Sequence, residues 1–281
     1  MPTPGSPVAR RRELGAMLRA RRTALGLTVE EAAKRLLISP SKLSRVETGQ
    51  RNITARDARD LGVLYAFSED ERTRVAELSA GGKARAWWQP FNLPYSYETY
   101  LGLEGEATSI RDFAIGVIPG LLQTQEYGEA TTRAVYPGVA AETLEGLVRA
   151  RLERQRRVLH ESGTKFTAMI DEGALLRVAG GAAVMRDQVR NMLEAAELPR
   201  VDIRIVPFAA GPLPAPVNKF IILGFDGNPD VVFLESLTGQ LVLERESDLA
   251  AYRGAYEALE RLAISADESY ERLRSLQRGY A

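Results

Sequence analysis

The chain has 281 residues, 45% hydrophobic and 26% charged, a balance typical of a globular protein long enough for two domains. It contains no cysteine, which excludes disulfides, thiolate metal sites and thiol catalysis. There is no apolar run long enough to cross a bilayer, and the first residues lack the apolar core of a secretory signal. We therefore expect a cytoplasmic protein with no membrane partner.

The net charge of zero conceals two regions of opposite sign. Residues 1–60 carry 13 basic and 6 acidic residues, a net charge of +7, and the rest of the chain carries −7. A basic block at one end of an acidic chain is the electrostatic pattern of a nucleic-acid-binding module. A merely solvated charged face is the alternative, but the block coincides with the helical pattern described next, which favours nucleic acid.

Residues 8–80 carry the signals of five short helices, which predict a compact all-α domain. Apolar residues at helical spacing predict the first helix over residues 8–25. The fourth and fifth helices each begin with a capping box, in which a hydroxyl and an acid three residues later bond each other's backbone amides. These pairs are Thr54 with Asp57 and Ser68 with Glu71.

The second and third helices form a closely spaced pair that ends at Gly49. Thr28 with Glu31 makes another capping box, and Ser39 caps the third helix, with Pro40 in its first turn. The outward side of this third helix combines short hydroxyls with long cations, which suits contact with phosphates and base edges in a major groove. Its residues are Pro40, Ser41, Lys42, Ser44 and Arg45.

The segment LGLTVEEAAKRLLISPSKLSRVETGQRNIT resembles the xenobiotic-response-element family of helix-turn-helix regulators, the fold of the phage Cro and repressor DNA-binding domains. The resemblance covers residues 10–80 and implies double-stranded DNA as a partner. Lys42 or Arg45 on guanine would contribute about 1–3 kcal/mol of discrimination between bases. The base-reading residues that the resemblance implies are Ser41, Lys42, Ser44 and Arg45.

The same resemblance implies a structural pair and a set of phosphate contacts. Glu47 stands where the family has a carboxylate paired with an arginine of the first helix, here Arg22. The family usually has a phosphate-binding Gln after the threonine cap, where this chain has Val29. The phosphate contacts are therefore assigned to backbone amides, to the arginines of the first helix, and to Thr28, Arg51 and Asn52.

Residues 81–98 form a predicted linker that combines Gly and Pro with five aromatic residues. Aromatic side chains can stack on bases, but stacking suits single strands and splayed bases. We interpret them instead as docking the linker onto the second domain. They are Trp87, Trp88, Phe91, Tyr95 and Tyr97.

Residues 99–281 form the predicted C-terminal domain, in which helical patterns give way to strands. Apolar spacing predicts helices over residues 101–116, 120–136 and 140–161, the last rich in arginine. Acidic residues among its arginines, Arg149, Arg151, Arg154, Arg156 and Arg157, favour a solvated face. Predicted strands are KFTAMID, VDIRIVPF, KFIILGF and DVVFLES, with QLVLE as a fifth, and predicted later helices span 182–197, 247–264 and 266–279.

We therefore predict a multi-domain protein, with an all-α helix-turn-helix domain followed by a larger α+β or α/β domain whose sheet is covered by helices. The segments GLEGEA, IPGLLQTQEY, MIDEGALLR and IVPF resemble the C-terminal domain of a set of actinobacterial regulators, over nearly all of residues 87–280. The role of that domain is unassigned in the family. Its members are thought to act in development or specialised metabolism, often beside a small partner protein.

Few residues support catalysis. His160 is the sole histidine and is expected on the surface, and the adjacent Asp171 and Glu172 point apart in regular structure. Gly180–Gly181 lacks the longer phosphate-loop pattern and is explained by the start of a helix. We expect no enzyme, no cofactor and no metal site. The remaining candidates have no base nearby in the sequence: Ser109, Ser236 and Thr238.

The sequence thus predicts a DNA-binding transcription regulator, a homodimer that reads a near-palindromic operator with the helix at residues 40–48. Its C-terminal domain would bind a small-molecule effector or a small partner protein, with a pocket expected around residues 118–127 and 207–216. One alternative is an antitoxin-like or adaptor protein that mainly holds a small partner and whose DNA binding is autoregulatory. Another is an enzyme fused to a DNA-binding domain.

Overall fold

A computed structural model describes residues 7–49, 51–81, 86–91, 93, 95–214, 219–226, 228–236 and 239–280. The chain divides into two compact units. The first comprises Met1–Pro90 with Leu101–Glu106, and the second comprises Phe91–Tyr100 with Ala107–Ala281. The sequence-based boundaries, 8–80, 81–98 and 99–281, stay a prediction.

The described part of the first unit is built from helices, and the five short helices predicted for it are confirmed. The first helix begins one residue before its predicted start, and each of the other four begins directly after its predicted capping residue. They are α1 (Pro7–Ala24), α2 (Val29–Arg35), α3 (Pro40–Glu47), α4 (Ala55–Leu64) and α5 (Glu69–Gly81).

Local hydrogen bonds determine where α2 and α3 begin and end. The Thr28 hydroxyl accepts the Glu31 amide at 3.1 Å, and the Glu31 carboxylate accepts the Thr28 amide at 2.9 Å. The Ser39 hydroxyl accepts the Lys42 amide at 3.1 Å at the start of α3. Gly49, just after α3, has a φ of +69°, the left-handed conformation that ends helices.

Helices α1 and α3 cross at very short range. A Cβ atom on Gly15 would lie 2.6 Å from the carbonyl oxygen of Val46, so the crossing requires glycine at this position. Around it the unit buries one apolar cluster, in which each fully buried large side chain contributes about 1.5–3 kcal/mol. The cluster contains Leu14, Leu18, Ala32, Ala33, Leu43, Val46, Ile53, Leu61, Tyr65, Phe67, Val75 and Leu78.

The second unit contains a six-stranded mixed sheet in the order β3-β2-β1-β4-β5-β6. The pairs β1–β2 and β2–β3 are parallel, and the other three neighbouring pairs are antiparallel. A larger domain with a sheet and helices is therefore confirmed. The strands are β1 (Ser109–Ala114), β2 (Lys165–Asp171), β3 (Val201–Val206), β4 (Phe220–Phe225), β5 (Asn228–Ser236) and β6 (Gly239–Leu243).

Helices cover this sheet. Leu249, Tyr256 and Leu259, from the helix Glu246–Leu262, pack in one buried cluster with apolar residues of the strands. The remaining helices precede, separate or follow the strands along the chain. In chain order the helices are α6 (Tyr95–Glu104), α7 (Gln125–Val135), α8 (Ala141–Gln155), α9 (Glu172–Leu176), α10 (Ala182–Ala196), α11 (Glu246–Leu262) and α12 (Ala266–Gly279).

The prediction of one helix over residues 101–116 is wrong in its second half. Helix α6 ends at Glu104, and residues from Ser109 onward form β1. Ile110 and Phe113, which are three residues apart, fit a helical face, but both are buried in a strand that pairs with β2 on one side and β4 on the other. Short apolar segments do not distinguish helix from strand, and here long-range pairing decides.

The arginine-rich helix α8 is only partly the solvated face that was predicted. Arg149 and Arg156 are exposed. Arg154, by contrast, is 6% exposed, and buried guanidinium atoms also belong to Arg151. For these two side chains the prediction is wrong, because they continue the buried stripe of α8 about one and two turns beyond Val148.

Within the described residues, no helix has both the length and the apolar character needed to cross a membrane.

Candidate nucleic-acid interface

The outward side of α3 presents a short row of polar side chains. Ser41, Ser44 and Arg45 are all exposed, and the inward side of the same helix buries Leu43 and Val46. The Arg45 guanidinium donates to the Ser41 carbonyl at 3.2 Å, which lays the arginine along the helix surface. The structure thus brings three of the four predicted base-reading residues together on one exposed face.

Lys42 differs from these three residues. Its ammonium group donates to the Asp57 carboxylate at 2.9 Å, and the two side chains are 22% and 14% exposed. Burial raises the pKa of Asp57, but the hydrogen bonds from Lys42 and Thr54 outweigh it and hold this pKa below its usual value. A base contact by Lys42 would have to break this pair, which joins α3 to α4.

Arg22 and Glu47, the predicted structural pair, lie in direct contact. The Arg22 Nε and Nη2 atoms donate to the two Glu47 oxygens at 2.7 and 2.9 Å, a bidentate geometry. The Arg22 Nη1 atom also donates to the Leu27 carbonyl at 2.7 Å. The hydrogen bond to Glu47 raises the pKa of Arg22. One guanidinium therefore holds together the end of α1, the start of the α2 segment and the end of α3.

The predicted phosphate-binding residues are not equally available. Thr28 is exposed at the N-terminus of α2, although its hydroxyl serves the capping box, and the Arg51 side chain is exposed. Asn52, by contrast, uses both polar atoms within the protein. Its Nδ2 atom donates to the Ser79 carbonyl at 2.8 Å, and its Oδ1 atom accepts the Ile53 amide at 3.0 Å. A phosphate contact by the Asn52 side chain would have to replace these bonds.

Two arginines near the end of the first helix bond backbone carbonyls. Arg21 donates to the carbonyls of Tyr65 and Ala66, at 2.9 and 3.0 Å, where α4 ends. Arg22 is held in the pair with Glu47. Both side chains therefore serve the fold of the unit, which runs against their assignment to phosphate. Sequence spacing gave no signal of this, because the partners of Arg21 lie more than 40 residues away.

Val29, where the family usually has Gln, packs against the apolar cluster of the first unit. Val29 therefore cannot make the phosphate contact of the family's Gln, and instead it contributes apolar contact to the fold. Its neighbour Leu27 packs against the same cluster. The start of α2 is thus anchored both by this apolar contact and by the bond from Arg22.

The aromatic residues of the linker segment have described contacts in two places. Trp87 and Trp88 pack edge to face, with ring centroids 5.5 Å apart. Phe91 lies 5.8 Å beneath the Arg149 guanidinium, and the Tyr97 hydroxyl accepts a hydrogen bond from α8. The side chain of Tyr95 and residues 82–85, 92 and 94 lie outside the described residues.

The residues considered for catalysis have structural partners or lie apart. Asp171 caps α9 by accepting the Gly173 amide at 2.9 Å. Glu172 accepts the Phe208 amide at 2.9 Å, which lowers the pKa of Glu172, and it pairs with Arg272. His160 is exposed. The remaining candidates are Gly181, which is the residue before α10, Ser109 and Ser236, which lie in strands, and Thr238, which lies outside the described residues.

The five-helix unit and the exposed face of α3 define a class, the helix-turn-helix DNA-binding regulators. In agreement, residues 13–75 match the family model described as a helix-turn-helix domain. Residues 97–275 match the model described as a domain of unknown function (DUF5753), and the chain belongs to this family. Comparison with curated proteins gives no match. Comparison with solved structures gives none either.

Proposed function

We propose that this chain is a sequence-specific transcription regulator that binds double-stranded DNA as a homodimer. The observation that carries the proposal is the exposed row of Ser41, Ser44 and Arg45 on α3, in a unit that matches a helix-turn-helix domain. Such a row of hydroxyls and one long cation complements the acceptors of a major groove. The xenobiotic-response-element and actinobacterial types named above remain part of this proposal.

In this proposal α3 is the recognition helix, and Arg45 reads guanine. The guanidinium can donate two hydrogen bonds to guanine O6 and N7, and the neighbouring serines can contact bases or phosphates. Lys42 has a different role from the one that the family resemblance gave it. Its pair with Asp57 orients α3 against α4, so Lys42 supports the reading face more than it reads bases.

Phosphate contacts would come from the edges of the same unit. Thr28 stands at the N-terminus of α2, where backbone amides attract anions, and Arg51 follows α3 with an exposed side chain. These contacts position the protein on the duplex and carry no sequence information themselves. The loss of the usual Gln at Val29 and the internal bonds of Asn52 leave few such contacts, so we expect a modest dependence of affinity on salt for each protomer.

The length of α3 supports the dimer. Eight residues extend about 12 Å, which covers only a few base pairs. A single copy therefore reads too little sequence for a specific site, whereas two copies about 34 Å apart would read two half-sites of a near-palindromic operator.

The protein would act in the cytoplasm. Its second unit would regulate DNA binding through a small-molecule effector or a small partner protein. An effector can shift DNA affinity only if it binds the DNA-competent and incompetent states differently. We propose no catalytic role for the chain. The adjacent acids Asp171 and Glu172 support this, because their bonds cap α9 and hold Phe208 and Arg272.

Genome-wide mapping of bound sites, followed by fluorescence anisotropy on the mapped sequence, tests the proposal. We expect an enriched near-palindromic motif, two protomers per duplex, and an affinity that falls linearly with salt on a double-logarithmic plot. Shuffling one half-site should reduce the affinity sharply. The absence of an enriched motif, or tight binding of one protomer to one half-site, would contradict the proposal.

A further inference from the structure

A cavity of about 310 Å³ lies within the second unit. Its walls come from the start of α6, from α7 and α8, and from β4, β5 and β6. This volume is at the lower end of the range found for small-molecule sites. Apolar side chains such as Val117, Ile221 and Phe233 form part of the wall, and charged side chains form another part.

Arg151 supplies an unusual feature of this wall. Its Nε and Nη1 atoms are buried, and neither has a hydrogen-bond partner among the residues that the structure describes. Burial lowers the pKa of Arg151, but a guanidinium stays charged in proteins. A buried cation without a partner is strongly unfavourable, so its retention calls for an anion that the described chain does not supply.

Arg154 lies one helical turn further along α8 and lines the same cavity. Its Nη1 atom donates to the Tyr97 hydroxyl at 3.0 Å, and its guanidinium carbon lies 5.3 Å from the centre of the Tyr100 ring. These contacts hold the guanidinium in a defined position at the cavity wall. Arg154 therefore presents a positioned guanidinium beside the unpartnered nitrogen atoms of Arg151.

The acid in the cavity wall is already paired. The Lys219 Nζ atom lies 3.8 Å from the Glu235 Oε2 atom, and Glu235 does not bond the buried Nε and Nη1 atoms of Arg151. Asp112 on β1 is a further buried acid near Arg154 and Lys219. Burial raises the pKa of Asp112, so burial opposes a compensating negative charge at this position. Among the described residues, the Nε and Nη1 atoms of Arg151 therefore have no bonded anion.

The backbone of α7 makes room for the Arg151 guanidinium. A Cβ atom on Gly128 would lie 2.5 Å from its Nη1 atom, so any larger residue would displace the arginine. Close to this point the Gln123 Oε1 atom is also buried without a partner among the described residues. The Gln123 Nε2 atom donates to the Ile118 carbonyl at 2.7 Å, which leaves Oε1 as an acceptor without a described donor.

We propose that this cavity binds a small organic anion, whose carboxylate or phosphate group is held by Arg151 and Arg154. A hydroxyl or amine group of the same ligand would donate to Gln123, and its apolar part would contact Phe233 and Ile221. Two guanidinium groups can form charge-assisted hydrogen bonds with a carboxylate or phosphate, and such bonds are stronger than those between neutral groups. The proposal concerns the second unit alone and holds whether or not the first unit binds DNA.

Isothermal titration calorimetry of the full chain at constant ionic strength tests the proposal. The anionic probes are inorganic phosphate, phenyl phosphate and 3-hydroxybenzoate, and the neutral control is benzyl alcohol. We expect one saturable site per chain for at least one anionic probe and none for the control. The relative affinities of phosphate and carboxylate probes identify which anionic group the site prefers.

Arg151→Met and Arg154→Met should each weaken binding by about tenfold to hundredfold, because each removes charge-assisted hydrogen bonds. Arg149→Met, on the same helix but exposed, should bind within about twofold of the unmodified chain. Circular dichroism checks that each variant is folded. Gly128→Ala, whose added Cβ atom would displace the Arg151 guanidinium without changing the charge, gives an independent variant and should weaken binding of phenyl phosphate.

The proposal is overturned if no anionic probe binds saturably up to about 10 mM, a range that covers even weak small-anion sites. It is also overturned if folded Arg151→Met or Gly128→Ala chains bind phenyl phosphate as tightly as the unmodified chain.

Discussion

Two partly buried arginines, one in each unit, have opposite surroundings. Arg22 in the helix-turn-helix unit uses Nε, Nη1 and Nη2 in bonds of 2.7–2.9 Å to Glu47 and Leu27. Arg151 in the second unit has two buried nitrogen atoms with no partner among the described residues, and it faces a cavity. The residue type is the same, but among the described residues only the first of these two charges has bonded partners.

This difference separates a structural role from a binding role. A compensated guanidinium fixes the position of the elements that it joins, here α1, α3 and the segment before α2. An uncompensated guanidinium destabilises the folded state until an anion arrives, so its presence indicates a site. The two arginines should therefore respond in opposite directions when their charge is removed.

The largest effect is expected for Arg22→Ala. This substitution leaves the Glu47 carboxylate, 6% exposed, without its cation, and should lower the free energy of unfolding by about 3–5 kcal/mol. Chemical denaturation followed by circular dichroism measures it. Arg19→Ala, an exposed position on the same helix, is the control and should change stability by less than about 0.5 kcal/mol. Equal stability of the two variants would contradict a structural role for the Arg22–Glu47 pair.

A smaller effect of opposite sign is expected for Arg151→Met. Without added anion the variant should be as stable as the unmodified chain or more stable by about 1 kcal/mol, because an uncompensated buried charge is replaced by an apolar side chain of similar length. Arg154→Met is the matched comparison. It loses the bond to Tyr97 and the contact with Tyr100, and should cost about 1 kcal/mol. A loss of several kcal/mol in Arg151→Met would show that its charge is compensated in the folded protein.

The smallest effect concerns Lys42 and Asp57, a partly exposed pair of the first unit. The pKa of Asp57 is lowered in the folded state, so the pair stabilises the fold above the unfolded pKa of about 4 and loses this contribution as the pH falls further. Asp57→Asn should therefore flatten the acid limb of a stability–pH curve below about pH 4, by less than about 1 kcal/mol. A steeper acid limb in the variant would contradict the stabilising role of the Lys42–Asp57 pair.

The first unit follows closely from its sequence because its signals are local. The capping boxes at Thr28, Thr54 and Ser68 each involve residues three apart, and the structure forms all three. The same holds for Ser39 at the start of α3 and Gly49 after its end. A close resemblance to a known family reinforced these signals, but the physical information lies within a few residues of each helix end.

Contacts between residues distant in the sequence could not be predicted in this way. The bonds of Lys42 to Asp57 and of Asn52 to Ser79 span 15 and 27 residues, and they engage two side chains that the family resemblance assigned to DNA. Strand β1 is a similar case, because its pairing with β2 and β4 overrides a helical spacing of apolar residues. These outcomes depend on tertiary structure.

The sequence contains an indication that Arg151 and Arg154 are buried, but the acidic residues around them obscured it. Leu144 and Val148 are buried on α8 at a spacing of four, and Arg151 and Arg154 continue the same side of the helix at a spacing of three. Interspersed acids suggested a solvated face. Arginines that prolong an apolar stripe are candidates for buried cations. In this helix their positions indicate the proposed anion site better than the total charge of the helix does.

The central claim, that the exposed face of α3 reads DNA bases, is tested most directly by Arg45→Ala. Fluorescence anisotropy would compare the full-length variant with the unmodified chain on the mapped operator and on a shuffled duplex, with Arg59→Ala as an exposed, charge-matched control on α4. Loss of a guanine contact predicts that Arg45→Ala weakens operator binding by about 1–3 kcal/mol per contact while shuffled DNA is bound nearly as before. Equal losses on both duplexes, or the same loss in Arg59→Ala, would contradict the claim.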